Sequence, residues 1–227
     1  RLGAIASRTN EIAVGTAAAV LPLRHPLHLA KAAASLQALS GGRMLLGLGS
    51  GDRVEEYAAF DKSYEERKQL YRSGWQRVAS ALVKPSEIHV GDTSFEMRPA
   101  ATPPPPLVAI GGGGQSLDWI ARNATGWATY HRELATQRDR HALWRNAVDR
   151  NAPAQSRSFS VAIHIELDET VIDPVPIKLG YRTGPEGLAT IFAEQHALGV
   201  HHLMVNLTTS RGRPLDAVRL IAEADRY

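Results

Sequence analysis

The chain has 227 residues, 44% of them apolar and 22% charged, with a formal net charge of +3 and no cysteine. These values fit a globular protein with one substantial core, and the missing cysteines exclude a disulfide framework and thiolate metal sites. No run approaches the ~20 apolar residues that cross a bilayer, no secretory leader is legible, and the basic residues lack the stripe of a nucleic-acid binder. A cytoplasmic protein without membrane or nucleic-acid partners is the expectation.

In chain order, residues 1–8 read as the end of a helix entered midway, and the first residue is Arg1 rather than Met. The predicted strands are short apolar runs without alternation, as expected where both faces are covered. They fall at 12–16, 44–48, 107–110, 127–130, 159–165 and 202–206. Helical spacing predicts helices at 26–39, 64–83, 115–123, 133–150, 185–198 and 214–227. Pro26 suits a first helical turn, and Gly41-Gly42 stop that helix. Residues 88–97 interrupt the rhythm as a hairpin turning at Gly91-Asp92, and prolines 103–106 form a stiff extended lead into the next strand.

Repeated strand–helix alternation implies parallel βαβ units. Six are counted, whereas a closed (β/α)₈ TIM barrel needs eight. The expected fold is therefore α/β, one barrel domain over 1–227 whose first two βα units would lie before Arg1. An open doubly wound sheet is the alternative, since six strands would suffice for it.

The sharpest local feature is Val108-Ala-Ile-Gly-Gly-Gly-Gly-Gln-Ser-Leu-Asp-Trp119, a strand running into four glycines and then a helix. Glycines let the backbone approach an anion, a helix start offers free N–H groups, and the Ser116 hydroxyl can add a donor. This reads as a phosphate cradle, with neither Rossmann nor Walker spacing. A second glycine-rich strand end, Leu46-Gly-Leu-Gly-Ser-Gly-Asp52, carries Ser50 on the same rim. His25 and His28 lie three apart and His201-His202 are adjacent, yet no acidic residue completes a metal site, so both pairs read as structural or exposed. Glu55-Glu56 and Glu65-Glu66 read as solvated helix residues, and no nucleophile–base pair is visible. By themselves the residues imply a phosphate-bearing cofactor in a barrel.

Three segments together resemble the luciferase-like flavin-dependent monooxygenases. They are Thr9-Asn-Glu-Ile-Ala-Val-Gly-Thr16 with Val20-Leu-Pro-Leu-Arg-His-Pro26 and Leu36-Gln-Ala-Leu-Ser-Gly-Gly-Arg43; Leu46-Gly-Leu-Gly-Ser-Gly51 with Glu56-Tyr-Ala-Ala-Phe60; and the 111–119 turn with Gly126-Trp127. The tail from Leu179 to Leu207 is similar to a compact branch of that superfamily. The resemblance implies a (β/α)₈ barrel binding FMN, or a deazaflavin, with the phosphate on Gly112, Gly113, Gln115 and Ser116. It also implies a non-proline cis peptide at Ala17-Ala18 shaping the flavin pocket. Ser50 stands where luciferase has a phosphate-binding arginine, which leaves Arg132 as the candidate cation. Catalytic residues stay unknown, because the strands that would carry them are absent from this sequence. The activity implied is oxidation of a small organic substrate with reduced FMN and O2, the flavin coming from a separate reductase, in a homodimer. A deazaflavin oxidoreductase, a non-catalytic flavin binder and a sugar-phosphate enzyme are the alternatives.

Overall fold

A computed structural model describes residues 1–208, 210 and 213–224. They form two compact units, Arg1–Thr125 and Gly126–Tyr227.

The first unit runs α1 (Leu2–Ala6), β1 (Val14–Gly15), β2 (Ala19–Val20), a 3₁₀ turn at Leu21–Leu23, α2 (Pro26–Leu39), β3 (Met44–Gly49), α3 (Val54–Ala59), α4 (Arg67–Val83), β4 (Ile88–Val90), β5 (Thr93–Phe95), β6 (Leu107–Ile110) and α5 (Leu117–Asn123). β3 is central, with β1 and β2 parallel to it and β6 parallel beside it. Its continuous apolar run is buried almost throughout, as befits a strand covered on both faces. Of the strand expected at 12–16 only Val14–Gly15 pairs, and β2 follows beyond the expected bounds. Gly15 pairs with Leu45 and Ala19 with Leu48, four steps against three, so one extra residue bulges out at 16–18. The Ala17-Ala18 peptide inside this bulge is cis. Thr16 braces it by donating from Oγ1 to the Gly47 carbonyl at 2.7 Å.

The predicted long helix starts three residues later, at Arg67, and a short helix, α3, precedes it. The hairpin turns at Gly91-Asp92 as expected. In the proline lead-in the Thr102-Pro103 bond is cis, as is Arg98-Pro99 upstream. Gln37, buried in α2, accepts from the Met44 amide at 3.0 Å and donates to the Pro103 carbonyl at 3.1 Å, joining helix, strand and lead-in.

The second unit runs β7 (Gly126–Tyr130), α6 (Leu134–Asn151), β8 (Ser158–Leu167), β9 (Val175–Ile177), β10 (Gly180–Thr183), α7 (Pro185–Ala197), β11 (His202–Asn206) and α8 (Pro214–Ala224). Residues 225–227 of the predicted last helix lie outside the described residues. β8 is central, with β11 parallel on one edge and β7 parallel on the other. Beyond the end of β7, β10 takes over the same edge. His131 donates its amide to the Ala162 carbonyl, and the His164 amide donates to the Leu179 carbonyl. Even-numbered residues of β8 thus serve both strands. β9 closes an antiparallel pair with β10 that the sequence reading did not anticipate. Ile163 and Ile165 of β8 pack with Leu188 and Ile191 of α7 and Ala224 of α8, forming the core on one sheet face.

Each unit is thus α/β with a mostly parallel sheet. The motif that ends in Arg43 proves structural in its contacts. Nε donates to the Ser40 carbonyl (2.7 Å), and the two terminal nitrogens reach the carbonyls of Ala6 (2.8 Å), Thr9 (2.7 Å) and Ile12. Only a guanidinium fork serves so many acceptors at once. Arg43→Lys should lower stability by about 2 kcal/mol, as bonds to a charged donor are lost. Urea unfolding followed by circular dichroism measures it.

Candidate functional site

The strand ends of β3 and β6 lie side by side, with Leu48 opposite Ala109. The glycine loop follows β6, and Ser50 follows β3. An ideal Cβ on Gly49 would lie 3.1 Å from the Ala18 methyl, so the cis peptide borders the β3 end directly. Ala17, Ala18, Ser50, Gly112, Gly113, Gln115 and Ser116 therefore belong to neighbouring strand ends of one unit.

Beneath the loop lies Tyr71 of α4, fully buried. Its hydroxyl donates to the Leu48 carbonyl at 3.2 Å. Its ring meets Trp75 and Trp119 at centroid distances of 5.7 and 6.3 Å. Burial pushes its phenol well above the ordinary range, so it stays protonated and donates. A Cβ on Gly113, whose φ is +55°, would strike that ring at 2.5 Å, so this glycine is needed for packing on Tyr71. At Gly112 a Cβ would meet nothing closer than 3.9 Å, which makes it the open side of the loop.

The loop's own hydrogen bonds sort its donors. The Gln115 amide closes a turn onto the Gly112 carbonyl at 2.8 Å, and its side-chain nitrogen donates to the carbonyls of Lys68 (3.1 Å) and Gly113 (3.2 Å). Gln115 is thereby committed to the loop itself. Ser116 caps α5, accepting from the Trp119 amide at 3.2 Å, and its hydroxyl proton is left to donate outward. The amides of Gly112, Gly113 and Gly114 meet no acceptor among the described residues.

One residue that the sequence reading passed over stands here. The stem of Lys68 lies across Gly114, where a Cβ would fall 2.3 Å from its Cγ, which puts a cationic side chain against the cradle. On sequence alone it is one more charged residue of a helix. Ser50 has its carbonyl engaged by the Tyr57 hydroxyl, and burial is the main cause raising that phenol's pKa. Arg132 belongs to the second unit, where Nη1 donates to the His131 carbonyl at 3.1 Å and the main-chain amide to Gln137 Oε1 at 3.2 Å. His25 and His28 are exposed, with rings 5.2 Å apart. His201 has a structural task, accepting at Nδ1 from the Phe159 amide at 3.1 Å. Among the described residues no group of three His, Asp or Glu converges as a metal site would. A cleft of about 440 Å³ lined by Leu21, Arg24, His25, Lys62 and Arg77 shares none of the expected site residues.

The second unit has a polar set that was missed. In β8 the residues facing away from the core are Ser160, Ala162, His164 and Glu166, in register with His202, Met204 and Asn206 of β11, Ala128 and Tyr130 of β7, and Gly180 and Arg182 of β10. The signal was available: Ser158-Phe-Ser-Val-Ala-Ile-His-Ile-Glu-Leu167 alternates, which marks one polar face. This corrects the reading of that strand as an apolar run without alternation.

Comparison with known proteins fits this geometry. The family model for luciferase-like monooxygenases matches residues 1–171. The chain belongs to the luciferase-like monooxygenase family. It is 33% identical over 147 residues to the F420-dependent hydroxymycolic acid dehydrogenase of Mycobacterium tuberculosis, covering 59% of this chain and 39% of that protein. In fold it resembles the monooxygenase RslO1 from Streptomyces bottropensis, with TM-score 0.80, 18% identity, and coverage of 99% of this chain and 80% of that one. It also resembles an F420-dependent secondary alcohol dehydrogenase, with TM-score 0.77, 13% identity, and coverage of 98% and 81%. The chain spans about half the length, or less, of the curated relatives it matches. Among the described residues no helix is long and apolar enough to cross a membrane.

Two expectations follow. Gly113→Ala should destabilise the fold by more than about 1 kcal/mol, from the left-handed backbone alone, whereas Gly112→Ala should leave the melting temperature unchanged. Thermal melts of the two variants compare them. His131 is buried with Nδ1 unpartnered, and burial, then Arg132, lowers its pKa. Burial, then Arg145 and His201, lowers that of His141 as well. Both are held neutral when folded, while the unfolded chain takes up protons at the ordinary histidine value. Stability is therefore complete above that value and falls as the pH drops below about 6.5 towards the depressed one. His131→Gln should flatten the pH dependence of the melting temperature over that window.

Proposed function

We propose that the chain is an oxidoreductase that holds a flavin-type cofactor by its phosphate in the 111–116 loop. The observation that carries the reading is the open face at Gly112, flanked by the unpartnered amides of Gly112, Gly113 and Gly114. Those N–H groups and the Ser116 hydroxyl suit a phosphate, because successive backbone donors form an anion-binding concavity. Lys68 supplies the cation that Ser50 does not. Ala17, Ala18 and Ser50, on the neighbouring strand ends, border the rest of the cofactor. The whole chain acts in this reading as part of one (β/α)₈ barrel. Bound there, the cofactor supplies two-electron oxidation–reduction chemistry that no side chain provides.

A phosphate cradle suits FMN and the deazaflavin F420 alike. F420 is the first choice, because most curated relatives with a named activity are F420-dependent dehydrogenases. FMN is the second, favoured by the likeness in fold to a type II Baeyer-Villiger monooxygenase solved in complex with FMN. With FMN the partners would be O2, a small organic substrate and a separate flavin reductase; a homodimer is the family expectation with either cofactor.

Titrating the full-length protein with F420 and with FMN, read by cofactor fluorescence, tests the proposal. F420 should bind, and Lys68→Met should weaken it by about tenfold, the loss of one charge contact. Gly112→Val should abolish binding in a folded protein. Preference for FMN would reverse the cofactor choice, and unchanged binding in Gly112→Val would remove the loop from the site.

A further inference from the structure

The polar sheet face of the second unit contains a histidine whose protonation pattern the geometry settles. Asn206 stands opposite His164 in register, and its side-chain nitrogen lies 3.3 Å from His164 Nε2. The other end of that amide is committed, since Oδ1 accepts from the Thr208 main-chain N–H at 3.0 Å. A backbone N–H can only donate, so this bond identifies the oxygen end. The end facing the imidazole is then the NH₂, which also only donates. A ring nitrogen that receives a hydrogen bond carries no proton, so the neutral imidazole has its proton on Nδ1. Nδ1 meets no acceptor among the described residues.

The surroundings define what this donor can bind. Glu166 and Arg182, next in register, pair at 3.1 Å and cancel in charge. Tyr130, Ala162, Gly180, Met204 and Asn206 are uncharged. Ala162 and Gly180 put little or nothing beside the His164 ring, while Tyr130 is half exposed on the same face. Among the described residues the result is a donor-rich surface without net charge. A carboxylate would surrender hydration there without gaining an unpaired counter-ion among those residues, whereas a neutral oxygen gives up far less.

We propose that this face binds an uncharged oxygen acceptor (a ketone, aldehyde or alcohol) through His164 Nδ1–H, with Asn206 as the positioning residue that fixes the tautomer. As a substrate site it rests on the oxidoreductase reading. The binding itself does not, and a test on cofactor-free protein lets the two fail separately.

The experiment is long-range ¹H–¹⁵N NMR of the full-length protein labelled at histidine, at mildly alkaline pH, with His164 assigned by loss of its signals in His164→Gln. The expected result is the Nδ1–H tautomer, shifted by millimolar cyclohexanone and untouched by cyclohexanecarboxylate. Asn206→Asp, whose carboxylate accepts from Nε2–H, should reverse the tautomer and weaken cyclohexanone binding by about tenfold. Asn206→Leu should abolish the single-tautomer preference if the aspartate variant does not fold. An Nε2–H tautomer in the unaltered protein, a response to the carboxylate equal to that of the ketone, or no response to the ketone would each overturn the proposal.

Discussion

The Tyr71 side chain is the contact on which the first unit's rim depends. It is fully buried and bounded by Trp75 and Trp119. Its hydroxyl pins the end of β3 through Leu48, and its ring sets the height of the loop after β6 through Gly113. Two strand ends from different βα units are thus referred to one rigid aromatic. A cradle of backbone amides works only if the backbone is held in place before the anion arrives, and a loop of four glycines cannot do that alone. The aromatic floor supplies the rigidity that the glycines lack.

That division of labour explains which parts were legible from sequence. Continuous apolar runs announced β3, β6 and β11, and Pro26 with Gly41-Gly42 bounded α2, because these signals are local. The Gly loop was legible as a turn that must approach something. What it approaches on its inner side was not, since Tyr71 read only as part of a helical stripe, and nothing in that stripe says which loop it will underlie. Lys68 was hidden for the same reason. Gln115 was expected to face the ligand, but its amide and side chain close the loop, a matter of turn geometry that residue type does not reveal. The β9–β10 pair was illegible because Pro174, Pro176 and a left-handed Leu179 (φ 63°) mask a strand signature.

The two candidate surfaces differ in physical character. The first unit offers backbone donors and a lysine, suited to a charged group whose identity is shared among many ligands. The second offers side chains without net charge, held in register by parallel strands, suited to discriminating one small molecule from another. Recognition of what is common is thereby carried by main chain and recognition of what varies by side chains, in which single substitutions retune selectivity without disturbing the sheet.

β10 continues the edge of β8 where β7 leaves off, and it arrives on a hairpin closed by Leu179. The last stretch of β8 is therefore lined by a segment that no neighbouring βα unit supplies. Evolution can lengthen, shorten or exchange such a hairpin while the helices behind β8 keep their packing. Divergence among relatives should accordingly concentrate in this patch, and grafting another member's hairpin here is the economical route to a new specificity.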